Sequence, residues 1–217
     1  MARRRLPVGV EAGAKKTFAF AVDWPGLCRS GRDEDDALEA LAAYGPRYGP
    51  VAAAAGLRPP TLEPASFEVV ERLPGSTATD FGVPYAIGEV DRRPVSAAAG
   101  RRAAALVEAA WSTLGSVAAG APASLRKGRR GGGRDRDAVV AHVVDAEQAY
   151  ARKLGLRPPK ARAGDADAVA AVRAAVLEVL GRAWTPTEEG PPWPPSYAAR
   201  RIAWHALDHA WEIQDRS

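Results

Sequence analysis

Cysteine, methionine and histidine are scarce in this chain. Its 217 residues hold one cysteine, one methionine and three histidines. A single cysteine excludes an internal disulfide framework and any zinc site built from four cysteines. No stretch approaches about 18 consecutive apolar residues, so no transmembrane helix and no membrane partner are expected. A bulk charge of one sign is also missing. The chain has 30 Lys+Arg against 26 Asp+Glu, a formal net charge of +4. That mild excess does not announce a nucleic-acid-binding domain, and nucleic acid is not the expected partner. Hydrophobic residues make up 47% of the chain, enough to bury a core, which excludes wholesale disorder. The length suits one largish domain or two small ones.

The basic start, Arg3-Arg4-Arg5, leads into Leu6-Pro7-Val8-Gly9 with no unbroken apolar stretch and no small-residue cleavage site. No signal peptide is expected. A lone Cys28 fits a reducing compartment, so a cytoplasmic protein is expected. With no assigned base beside it, that thiol reads as structural even though Arg29 follows it.

The first third reads as mixed α and β. Lys16 to Val22 is short, aromatic and β-branched, a strand signal, and Asp23-Trp24-Pro25-Gly26 is turn chemistry. Acids at 33 to 36 suit the positive end of a helix running from Glu34 to about Tyr44, which Gly45-Pro46 is expected to stop. Ala65 to Arg72 predicts a second strand and Tyr85 to Val90 a weaker third. From Pro94 the texture becomes helical. Helices are expected over Val95 to Ala119, from Asp135 or Asp137 to Leu154, over Ala168 to Ala183, and from Tyr197 to about Asp215 with Ser196 as cap. The expected class is therefore α+β. A small α/β unit over residues 1–90 precedes an all-α four-helix bundle over residues 91–217.

All three histidines fall in the helical part. His205 and His209 lie four apart on the last helix, so both rings project from one face about one turn apart. His142 lies on the second bundle helix, flanked by Val139, Val140, Val143 and Val144. Such a pair also arises by chance, and a histidine among valines also reads as a core residue. The joint pattern points to three neutral imidazoles holding one borderline divalent cation, with positions left open for water or substrate. On a helical wheel, Ile202 and Ile213 fall on one side of the pair, and Arg201, Asp208, Glu212 and Asp215 on the other. Glu147, Tyr150, Asp208 and Glu212 are candidates to orient the imidazoles.

Three other features invite a function. The segment Arg126 to Arg136 carries six basic side chains, read as an anion or nucleic-acid patch, as a solvated loop, or as a basic rim near the cleft. It lacks the interleaved aromatics that base stacking needs. Trp193, inside Pro191-Pro-Trp-Pro-Pro195, reads as a lid or as a staple for a long connector. Trp204 and Trp211, seven apart, read as core.

The segments His142-Val-Val-Asp-Ala-Glu147-Gln-Ala-Tyr150 and Tyr197-Ala-Ala-Arg-Arg-Ile-Ala-Trp-His205-Ala-Leu-Asp-His209-Ala-Trp-Glu212 resemble the DinB-like superfamily. The resemblance covers roughly residues 94–217. It implies a four-helix bundle and a divalent metal, of the zinc, nickel, iron or manganese type, held by His142, His205 and His209. That superfamily includes bacillithiol and mycothiol S-transferases and mycothiol-dependent maleylpyruvate isomerases. By resemblance, the expected function is a metal-dependent transferase or hydrolase. A low-molecular-weight thiol would be its cofactor, and a small electrophilic molecule its substrate. Phe18 to Leu41 is similar to the HicB-like fold, in which a strand ends in a Pro-Gly turn and a Gly leads into an acid-capped helix. This module is expected to cover the bundle or to mediate a homodimer. The alternative is a non-catalytic protein-binding module of the antitoxin type, with the bundle as scaffold.

Overall fold

Phe18 and Phe20 alternate with Thr17, Ala19 and Ala21, so successive side chains in this run point to opposite faces of a sheet. A computed structural model, which describes residues 5–128 and 132–217, places them in β2 (Thr17–Ala21). The other strands are β1 (Leu6–Ala12), β3 (Cys28–Gly31) and β4 (Phe67–Pro74). They form one sheet in the order β3-β2-β1-β4. β1 pairs antiparallel with β2 (Val8 opposite Ala21) and parallel with β4 (Leu6 opposite Phe67). Phe18 and Phe20 pack on one face with Cys28, Val90 and Trp204, while Ala19 and Ala21 join the main core on the other. Gly9 is required opposite Phe20, because a Cβ there would lie 2.2 Å from the ring.

The helices are α1 (Glu34–Ala43), α2 (Gly45–Ala54), α3 (Thr77–Phe81), α4 (Ala97–Gly120), α5 (Arg136–Lys153), α6 (Ala166–Leu180) and α7 (Pro195–Arg216). Asp33 caps α1 through the amide of Asp36, and three acids fill the first turn. α4, α5, α6 and α7 pack on one another, and α2 packs on α4. The main core is continuous, running from Val8 and Leu27 through Leu41 and Tyr48 to Leu106, Val143, Val176 and Leu207. Among the described residues no helix is long and apolar enough to cross a membrane.

Several expectations are corrected. β1 and β3 were not expected from the sequence. β1 carries Pro7 and Gly9, and β3 is only four residues long. α1 does end at Ala43, with Tyr44 as its C-cap, just before Gly45-Pro46, but a further helix that the sequence did not suggest, α2, starts there with Pro46 in its first turn, where the missing N–H costs nothing. Tyr85 to Val90 is no strand. The amides of Tyr85 and Ala86 donate to Glu11, and those of Glu89 and Val90 to Glu71, so carboxylates take the groups a ladder would use. Pro194, not Ser196, is the residue preceding α7.

Candidate metal centre

α5 supplies His142, and α7 supplies His205 and His209 one turn apart. The two helices pack directly on each other. This brings the three imidazoles together, with ring centroids 5.1 Å apart for His142 and His205, 5.1 Å for His142 and His209, and 4.7 Å for His205 and His209. One ring nitrogen from each lies within 4.8 Å of the other two. Nε2 of His142 and Nε2 of His205 are 3.3 Å apart. Two nitrogens each ~2.1 Å from one ion span that separation at about 104°, close to a tetrahedral angle. That pair fits a borderline divalent cation, and His209 offers a third ring nitrogen within 4.8 Å of both.

The surroundings leave lone pairs on these rings able to ligate. His205 is buried. Burial first, then the neighbouring basic groups His209, Arg201, His142 and Arg134, push its pKa down to about 2. It is neutral at any physiological pH, with a lone pair to offer. His142 is also pushed below the ordinary histidine value, by burial first and then by His209 and Arg134. Nδ1 of His209 lies 2.7 Å from Oε2 of Glu212. A carboxylate only accepts, so Nδ1 carries the proton and Nε2 is left free to ligate. The hydrogen bond from His209 holds the Glu212 carboxyl below its usual range, and Arg216 grips its other oxygen. Nδ1 of His205, by contrast, is buried with no hydrogen-bond partner among the described residues.

Of the four orienting candidates, Glu212 touches a histidine through this hydrogen bond and Tyr150 through its ring, 5.7 Å from that of His205. Asp208 pairs with Arg29 on β3, and Glu147 with Arg173 on α6, so both are committed elsewhere. Trp193 is buried, stacks on Tyr150 at 5.1 Å and donates its backbone N–H to the Lys153 carbonyl. It staples the connector to the end of α5 and stands one ring behind the histidines. Trp204 packs between the Phe18 face of the sheet and His205.

Within the basic segment, Arg129 and Arg130 lie outside the described residues. Lys127 pairs with Asp135, and Arg136 with Asp137. Arg126 donates to the Asp215 carbonyl at the end of α7. These charges tie the segment to its neighbours. Arg134 contributes a positive field at His142 and His205. Cys28 is buried and its thiol is pushed up to about 12, mainly by burial, which fits an inert structural thiol. A cavity of about 810 Å³ between the sheet and the N-terminal ends of α4 and α7 is lined by Trp24, Val95, Arg102 and Ser196, but by none of the histidines.

No family model, no curated protein and no solved structure matches this chain. The functional reading therefore rests on the geometry of the histidines and on the resemblance read from the sequence.

The wheel placed Arg201 on a polar face, whereas the structure buries it. Trp204 from α7 and Tyr150 from α5 cover its guanidinium, with Cζ 4.6 Å and 5.4 Å from their ring centres. Periodicity along one helix could not reveal this, because α7 is enclosed on nearly every side from Pro195 to Leu207.

Proposed function

We propose that this chain is a metal-dependent enzyme of the DinB-like type. It would transfer a low-molecular-weight thiol of the mycothiol type to a small electrophilic molecule, or hydrolyse such a molecule. In this reading α4 to α7 are the DinB-like bundle. The sheet with α1 is the HicB-like unit, supported by the turn at Gly26 (φ +93°) and by Gly31 leading into the Asp33-capped α1. The observation that carries the proposal is the convergence of His142, His205 and His209 from two helices to within 4.8 Å at their ligand atoms.

A divalent cation in such a site supplies Lewis-acid chemistry, lowering the pKa of a coordinated thiol or water to near neutrality. The chain's own part is to hold and orient. Burial keeps His205 neutral. Glu212 fixes the His209 tautomer, and Arg216 fixes Glu212. The Tyr150 and Trp204 rings keep water from the flank of His205. The nucleophile would arrive with the ligand, which accords with the Cys28 thiol being buried and held protonated.

Metal analysis of the purified full chain tests this directly. One divalent ion per chain is expected, with affinity falling at least tenfold in His209→Ala. A wild type that takes up no stoichiometric metal on reconstitution, and a variant indistinguishable from it, would overturn the reading. A metal-free protein recovered with one stoichiometric protein partner would point to the binding-module alternative.

A further inference from the structure

Arg201 is 7% exposed, and among the described residues its Nε and Nη1 have no hydrogen-bond partner. A buried charge without a partner is costly, and natural proteins seldom keep one. Every buried carboxylate among the described residues is already committed. Glu11 accepts from the Thr79 hydroxyl and from the amides of Tyr85 and Ala86. Asp91 takes the Arg200 guanidinium and the Gly88 amide. Glu147 is held in a fork by Arg173. Arg201 forms no ion pair among the described residues.

The position of Arg201 explains what such a cation could serve. It precedes His205 by one turn of α7. Two rings connect them. Tyr150 lies 5.7 Å from the His205 ring and 5.4 Å from the Arg201 Cζ. Trp204 lies 6.2 Å and 4.6 Å from the same groups. The guanidinium and the histidine cluster thus share two aromatic walls. Arg134 adds a positive charge on the same side, at His142 and His205.

We infer that Arg201 is an anion-docking residue beside the histidine cluster, and that its ligand is a small molecule bearing a carboxylate. A planar guanidinium between two rings offers its in-plane N–H groups, which match a carboxylate edge-on in a two-pronged pairing. The inference rests on the metal-enzyme reading only in calling that ligand the substrate, and its test is run without metal so that the two can fail separately.

The test titrates metal-free full chain with acetate and, in parallel, with inorganic phosphate. Calorimetry and thermal melting are the readouts. Acetate is expected to bind and to raise the melting temperature of the wild type. Arg201→Met is expected to weaken acetate binding by about 10- to 100-fold, the loss typical of a hydrogen bond to a charged group. Without acetate the variant should melt at or above the wild type, because it removes an unpaired buried charge. A residue that only packs would instead melt lower on truncation, with no anion effect. Neither anion moving the wild type, or Arg201→Met binding acetate as the wild type does, overturns the proposal. Phosphate binding more tightly than acetate overturns the carboxylate assignment. If Arg201→Met does not fold, the wild-type Arg201 Nε–H resonance serves instead; acetate must shift it, and an unmoved resonance counts against the proposal. Zinc titration of the same samples separates the two readings. Acetate bound without zinc affinity sinks the metal reading alone.

Discussion

The Asp91–Arg200 pair should govern the stability of the junction between the sheet side and α7. Asp91 is 1% exposed and Arg200 8% exposed. Arg200 donates from Nε to Oδ1 at 3.0 Å and from Nη2 to Oδ1 and Oδ2 at 2.7 Å each. Asp91 also accepts from the Gly88 amide at 3.0 Å, and the guanidinium lies 3.8 Å from the centre of the Phe20 ring. Asp91→Ala would leave Arg200 buried and unpaired. Breaking a buried pair on one side costs about 3–5 kcal/mol. For a chain of this size, where about 1 kcal/mol moves the midpoint by ~2–4 °C, the melting temperature should fall by roughly 6–20 °C. That loss is a large part of a stability of about 5–15 kcal/mol. Equilibrium urea denaturation followed by circular dichroism measures it. The double variant Asp91→Leu/Arg200→Met should recover most of the loss, because no lone charge remains. A single-variant loss below about 1 kcal/mol, or a double variant no better than the single one, would refute the reasoning.

Glu212→Gln should lower divalent-metal affinity about 10- to 100-fold while leaving the fold intact, since it weakens the hydrogen bond orienting His209; competition with a chromophoric chelator reads this. His205 is pushed down when folded, so the unfolded chain binds its proton first. Stability from this group is full above about pH 6.5 and is lost as pH falls below it, by at most about 1.4 kcal/mol per pH unit. Melting curves between pH 7.5 and 5 should therefore be flatter for His205→Gln than for the wild type, and equal slopes would refute this. Gly100→Ala should cost about 1–3 kcal/mol by urea denaturation, because a Cβ there would lie 2.6 Å and 2.7 Å from the Arg182 and Leu180 carbonyl oxygens where α4 meets α6.

Much of the fold was legible because the signals were local. Asp33 and the acids after it marked the start of α1, and helical spacing gave α4 to α7 within a few residues at either end. What periodicity could not reach were elements set by distant partners. β1 and β3 owe their place to pairing with β2, and Gly9 is explained only by the Phe20 ring across the ladder. Tyr85 to Val90 had a strand's composition, but its amides are held by Glu11 and Glu71, 18 or more residues away in sequence.

The candidate site divides in the same way. Spacing alone placed His205 and His209 on one face of one helix, because 3.6 residues per turn is a property of the backbone. That His142 joins them, that Glu212 rather than Asp208 holds His209, and that Cys28 is sealed against Trp204 were decided by the packing of α5 and the sheet against α7. Arg201 makes the point most clearly. A wheel for one helix assumes a wet side and a dry side, but α7 is surrounded, so the burial of this charge exists only in the tertiary structure.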